Sequence, residues 1–581
     1  MILLFQLLYF LFSILFATGT CQNPSSPRTS FPDSNNDPLP IETVFKLPSP
    51  LPTWPSGGGF ASGTIDLGGL QVCQISSFTK IWATREGGGN DLGATFFEPS
   101  QIPDGYFMLG SYAQPNNKAL FGKVLAGKDT TGDPSNGTLK RPTDYSLVWS
   151  SENSNLAQDG NGYIWLPTPP AGYQAIGHVV TNSPDKPSLD KVRCVRTDLT
   201  DPSEPDAWIW GKDDKINVFS FRPSARGVQA LGVPTGTFFL ALNSGAVPVA
   251  ASLPCLKNLK AANLTSMPNQ NQVQALFQSY SPWIYLHPNE EYLPSSVSWF
   301  FINGALLYKR GDESNPVAID PMGSNLPQDG SSDGAYWLDL PNDDAAKQQI
   351  KKGNLTDAEV YLHVKPMLGV TATDVAVWVF YPFNGPAKAR LGMIDISLGK
   401  IGEHVGDWEH LTLRVSNFNG ELTGVYFSQH AGGLWVSSPE LEFHGGGGNR
   451  PVAYSAIHSH AFSPKAGLVL QGNGGIRLRM DTARSEKVVD AGGRFVVVSG
   501  EYLGSSAAAV VEPPWLNYSR EWGPKIDYDV ADESDKVAKV LPGLLRKKFR
   551  KFIGSLPNEV LGEEGPAGPK MKDNWSGDER I

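Results

Sequence analysis

Apolar and polar residues in this chain alternate over short runs more often than they recur at helical spacing. That period-two pattern predicts strands, whose successive side chains point to opposite faces. The clearest run starts at Asp407: Asp407, Glu409, Leu411, Leu413 and Val415 share one face, and the three aliphatic residues mark it as the core side. Similar runs at 375–381, 424–429, 452–458 and 495–500 extend a strand-rich stretch across residues 271–530. An antiparallel β-sandwich is the expectation there. Tyr454, Ala456, His458 and His460 keep the same period, which would put both histidines on one face. Residues 272–280 read as a short helix. The glycine runs 445–448 and 472–475 read as turns, since neither fits a phosphate-cradling loop followed by a helix.

Residues 53–250 carry an internal repeat. The first copy runs from Phe78-Thr-Lys-Ile-Trp82 through Phe97-Glu-Pro99 to Gly105 and Gly110. The second runs from Tyr145-Ser-Leu-Val-Trp149 through Trp165-Leu-Pro167 to Gly172 and Gly177. A shorter third copy runs from Trp208-Ile-Trp210 through Phe221-Arg-Pro223 to Gly227 and Gly232. Each unit is too small to bury its own face, so three antiparallel sheets around a pseudo-threefold axis are expected, a β-prism-like domain. The fold class is therefore all-β. With 61 glycines, 46 prolines and only 18% charged residues, the composition also favours short strands and tight turns over long helices.

The ends of the chain depart from this pattern. Residues 1–17 are apolar except for Gln6 and Ser13, and small residues follow to Cys21. A signal peptide over 1–20 is the expectation, with an uncleaved anchor as the alternative. Five sequons, at Asn136, Asn263, Asn354, Asn517 and Asn574, agree with passage through the secretory route. The Pro-, Ser- and Asn-rich residues 21–52 read as a disordered spacer, and 251–270 as a linker. Within 531–581, apolar residues from Val537 to Ile553 recur at helical spacing with Arg546, Lys547, Lys548, Arg550 and Lys551 between them. This is a basic amphipathic helix, suited to an anionic membrane or partner or to docking on the sandwich, and a mobile Gly- and Pro-rich tail is expected after it. Four cysteines without a C-x-x-C pair exclude a zinc ribbon and a disulfide scaffold. Net charge of −10 argues against nucleic acid as a partner.

The chemistry concentrates where the strand begins. Two carboxylates next to an apolar face repel and lose hydration unless they are neutralised. His404 lies three residues before Asp407, and His404-x-x-Asp407-x-Glu409 offers an imidazole and two carboxylates to a divalent cation such as Ca²⁺ or Mg²⁺. A structural network with Lys, Arg or backbone donors is the competing arrangement. Six of the nine histidines fall between 404 and 460, which favours the cation; His410, His458 and His460 are the expected supporting side chains.

Longer motifs resemble the plant family named after vacuolar protein sorting-associated protein 62. They are Leu47-Pro-Ser-Pro-Leu-Pro-Thr-Trp54, Gly93-Ala-Thr-Phe-Phe-Glu-Pro99, Gly110-Ser-Tyr-Ala-Gln-Pro115, Tyr285-Leu-His-Pro288, His404-Val-Gly-Asp-Trp-Glu-His410 and Glu512-Pro-Pro-Trp-Leu-Asn517. Many relatives lack a leader, so residues 1–20 are a departure. The segment His404–Glu409 is also similar to the heptapeptide of necrosis- and ethylene-inducing peptide-like toxins. There the resemblance implies a cation used in docking to sphingolipid headgroups, with Asp395 as a further ligand. Val405 and Gly406 stand where the toxins carry Arg and His, which argues against membrane lysis. The expected function is non-enzymatic binding of a glycan or lipid headgroup with a divalent cation, with peripheral membrane contact. The alternative is a metal-dependent hydrolase using His404, Asp407 and Glu409, with His458 or His460 as general base.

Overall fold

Trp82, Trp149 and Trp210, one from each sequence copy, meet at a single point. Their ring centroids are 5.6, 5.8 and 5.9 Å apart. In the computed structural model, residues 39–580 are described apart from 134, 213–215, 243–252, 392–393, 430–431, 472–475, 501, 504–509, 526–528, 540, 555 and 557–564. The signal-peptide or anchor expectation, His430 and the 472–475 turn lie outside the described residues.

Each copy forms a three-stranded antiparallel sheet. The first comprises Phe78–Ala83, Ala94–Pro99 and Tyr112–Pro115, the second Asp144–Ser150, Tyr163–Thr168 and Val179–Thr181, and the third Ser203–Lys212, Ile216–Pro223 and Phe238–Leu242. Three further sheets accompany them, one four-stranded and two small three-stranded ones, and Leu70, Leu109, Ile176, Val195, Val233 and Leu256 join in one core drawn from all three units. Gly110 and Gly177 touch backbone to backbone: a Cβ on Gly110 would lie 2.7 Å from the Gly177 Cα. In the third unit Thr237, not Gly232, completes this meeting point, its Cγ2 lying 2.9 Å from the same position. Cys73, Cys194 and Cys255 lie one in each of these further sheets, buried and unpaired. Within the span expected as a linker, Cys255–Lys257 is the middle strand of the third of these sheets.

The second region is built on a six-stranded sheet, ordered Gly432–Ser437, Leu422–Gln429, His404–Ser416, Ala372–Asn384, Val360–Met367 and Phe495–Ser499. A four-stranded sheet containing Trp283–Leu286 and Val452–Ser455 shares its apolar core: Leu411, Leu413, Val415, Val377, Ile284 and Phe462 belong to one buried cluster. The pairing is antiparallel except at two places, Val360–Met367 with Phe495–Ser499 and Trp283–Leu286 with Val452–Ser455, which run parallel. The expected 272–280 helix spans Gln270–Tyr280 and begins in a reciprocal cap between Asn269 and Gln272. The aromatic run after Ser295 turns into a helix, Val297–Ile302, because the Ser296 side chain caps Trp299 N.

Four expectations need correction. Residues 40–52 are not a loose spacer: Phe45 stacks edge-on with Phe121, and Ser49 is bonded to Asn449 and Gly447. The basic helix is two helices, Val530–Lys539 and Gly543–Ile553, because Pro542 cannot continue the first and caps the second. Residues 565–580 are not a mobile tail but lie across the six-stranded sheet, as described below. The strand at Val452 stops at Ser455, so His458 and His460 share no strand face; both sit in left-handed backbone, at φ +69° and +54°. Among the sequons, Asn136 and Asn263 are exposed, whereas Asn574 is buried. Among the described residues, no helix is long and apolar enough to cross a membrane.

The two strand-rich regions belong to one compact unit, Pro40–Ile581. Phe418, from the turn after the motif strand His404–Ser416, enters the core of the three-unit region. Asn258 Nδ2 donates to the Gly369 carbonyl at 2.6 Å, and Lys123 pairs with Glu421 at 2.6 Å.

Candidate functional site

The motif strand pairs along its length with Ala372–Asn384, setting Asp407 opposite Tyr381 and Glu409 opposite Val379. Its partner on the other side, Leu422–Gln429, joins only from Leu411 onward, so Asp407 and Glu409 stand at the lip of the sheet. Gly406 makes the lip possible. It adopts φ +68°, and a Cβ there would lie 2.4 Å from the Trp522 carbonyl oxygen. Its own carbonyl accepts the His404 Nδ1–H at 3.0 Å, which fixes the ring at the lip.

Asp407 and Glu409 do face the core side, and protein groups already engage both carboxylates. His460 is fully buried with its Nδ1 2.8 Å from Asp407 Oδ2 and its Nε2 3.2 Å from the Tyr292 carbonyl. Both nitrogens face oxygen acceptors, so the ring donates twice and offsets the Asp407 charge. The ring also lies flat on Tyr381, centroids 3.7 Å apart. Burial pushes the Asp407 carboxyl up. The His460 hydrogen bond and the nearby His404, His460 and Lys572 outweigh this and hold it below the usual carboxylate range. Glu409 accepts from the Ser428 hydroxyl.

His404, Asp407 and Glu409 line one cavity of about 40 Å³, together with Asn384 and Ser459. A site that small holds a few waters or an ion, not a sugar ring. The Ser459 hydroxyl and His458 Nδ1 are buried there or close by without a hydrogen-bond partner among the described residues. Burial lowers the His458 imidazole's pKa, and its backbone N–H is tied to Glu290 at 2.6 Å. Among the described residues, no group of three His, Cys, Asp or Glu side chains is arranged to hold a metal ion. Asp395 is excluded from the set. It lies on the Ile394–Ser397 strand, accepts from Arg390 at 2.7 and 3.1 Å, and also pairs with Arg479. His460 as a general base is equally disfavoured, since both its nitrogens are engaged.

His410 faces away from the acids. Its Nε2 lies 3.0 Å from Glu579 Oε2 and 3.0 Å from Asn574 Nδ2, residues absent from any sequence-level expectation of the site. Thr412 donates to Glu579 at 2.6 Å, Lys365 donates to the Asn574 carbonyl at 2.7 Å, and Arg414 links Asp374 to Asp578. Trp575 stacks on His363 at 3.7 Å. Burial pushes the Glu579 carboxyl up, but His410, Lys365 and Thr412 together bring it down to about 2. Between this 565–580 segment and the sheet lies a second cavity of about 430 Å³. Glu409, Tyr426, Ser428, Lys572, Asn574 and Glu579 are among its lining residues, and Glu409 borders both cavities. The sequence signal for this half was Trp575, an aromatic in a Gly- and Pro-rich stretch, followed by the Asp578-Glu579-Arg580 run.

Fold and site together define an all-β chain with a triplicated sheet region, a sheet-lip acidic site, and residues 565–580 laid across the other side of the same sheet. The chain belongs to the family described as vacuolar protein sorting-associated protein 62, whose model matches residues 41–579. No curated protein matches it. Among solved structures it is similar to GNIP1Aa from Chromobacterium piscinae, at 23% identity over 32% of this chain and 37% of that one, with a TM-score of 0.26. It is also similar to Necrosis and Ethylene inducing Protein 2 from the causal agent of cocoa's Witches Broom disease, at 14% identity over 33% and 67%, TM-score 0.19. A third similar structure is NLPPya in complex with glucosamine, at 12% identity over 42% and 77%, TM-score 0.20.

Proposed function

We propose that this chain is a non-enzymatic binding protein of a sorting or secretory route. In this reading it takes the hydroxyl-rich headgroup of a glycan, free or carried on a lipid, in the 430 Å³ cavity beside the motif strand. The observation that supports it most is Glu409, one buried carboxylate shared by an ion-sized cavity and a headgroup-sized one. The larger cavity offers what a polyol needs: a carboxylate to accept, the Lys572 ammonium to donate, and the Tyr426 ring as a wall. Recognition of this kind needs no metal, and His460 already occupies Asp407 Oδ2.

Glycan-array binding followed by calorimetry on the full chain, with and without chelator, tests the proposal. Glu409→Gln is expected to weaken binding by about tenfold or more while leaving the thermal melt within a few degrees, as loss of one charge-assisted hydrogen bond implies. Absence of glycan binding, or equal affinity in the variant, overturns the reading. Binding abolished by chelator would instead assign a divalent cation to the small cavity.

A further inference from the structure

The helix Gly543–Ile553 presents two faces of opposite character. Phe549 and Ile553 are buried against Leu391, Ile396 and Leu478 of the neighbouring sheet. Lys547, Lys548, Arg550 and Lys551 are exposed on the other face. Arg550 is engaged with Asp535 at 2.8 Å, whereas Lys547, Lys548 and Lys551 take part in no ion pair among the described residues. Lys547 and Lys551 are one turn apart and Lys548 is adjacent, so the three ammonium groups form one cluster. This cationic face belongs to a chain of net charge −10, so an anionic surface would attract one side of the molecule and repel the rest.

We propose that this face is a docking surface for an anionic lipid bilayer. Leu545 and Phe552, packed at the edge of the protein's apolar cluster, are only half-buried, so part of each stays accessible on this helix. Apolar side chains beside cations suit the boundary between headgroups and acyl chains, which a soluble polyanion does not have. The helix's main apolar face is already committed to the protein core, so it does not insert. Attachment is electrostatic, reversible and weakened by salt. The proposal is independent of the glycan site, whose lining residues lie on other elements.

The test is co-sedimentation of the full chain with vesicles of phosphatidylcholine alone and of phosphatidylcholine with phosphatidylserine, at low and high salt. The wild type is expected to partition onto the anionic vesicles only, and to be released by salt. A Lys547→Gln/Lys548→Gln/Lys551→Gln variant should lose about 100-fold in partitioning. Its far-ultraviolet circular dichroism and thermal melt should match the wild type, because the three side chains are exposed. Equal binding to both vesicle types, binding to neither, or unchanged binding of the triple variant overturns the proposal. So does tighter binding to soluble polyglutamate than to anionic vesicles, which would make an acidic chain the occupant.

Discussion

Replacing Glu579 by glutamine removes one negative charge from a buried polar layer while keeping the shape of the side chain. In the folded protein this carboxyl titrates at about 2, against an ordinary value of 4.5. The folded value lies below the unfolded one, so the charged form is the one that stabilises. The contribution is complete above about pH 4.5 and is lost as pH falls through about 2. A shift of this size corresponds to about 3 kcal/mol at neutral pH. The side chain is 1% exposed, so solvent screening removes little of that figure. Equilibrium urea unfolding of wild type and Glu579→Gln, repeated from neutrality down to about pH 3, measures the gap directly. The variant is expected to be less stable by about 3 kcal/mol at neutral pH, with the gap shrinking to less than half by about pH 3. A gap that does not change with pH, or one below about 0.5 kcal/mol at neutrality, refutes the electrostatic account of how residues 565–580 are held.

Two other outcomes follow from the three-unit region. Burial pushes the Cys73 thiol up to about 11, the Cys194 thiol up to about 12, and the Cys255 thiol higher still. In a Cys21→Ser background, none should react with a disulfide reagent in the native protein and all three should react after denaturation; fast native labelling of any one contradicts the burial described. Gly110→Ala would force a Cβ to 2.7 Å from Gly177 and 2.9 Å from Thr237, overpacking the axis at a cost of about 1–3 kcal/mol. An unchanged thermal midpoint for that variant would mean the axis is looser than its geometry implies.

What the sequence revealed follows from the range of each interaction. The strand through Asp407 was legible because its alternation is local, and the three tryptophans because repetition marks equivalent positions. His460 was expected as a supporting side chain, but its direct bond to Asp407 was not legible, nor was Glu579 as the partner of His410. His460 meets Asp407 from 53 residues away and Glu579 meets His410 from 169 residues away. No periodicity carries such pairings. Asp395 misled for a related reason: it is near the motif in sequence, but the hairpin Lys388–Leu391/Ile394–Ser397 sets it across from Arg390. The tail misled through composition. Glycine and proline suggested mobility, whereas Asp578, Glu579 and Trp575 fit a groove whose receptors, Arg414, His410 and His363, lie far upstream.

That groove has a consequence for how the molecule is made. One side of the six-stranded sheet carries Lys365, His410 and Arg414; Asp374 precedes Arg414, but the Asp578 and Glu579 carboxylates that meet Arg414 and His410 leave the ribosome 160 or more residues after them. At roughly 5–20 residues per second this is a delay of about 10–30 s. Until then the sheet lacks the Asp578 and Glu579 carboxylates and the Trp575 ring that cover this side in the folded protein.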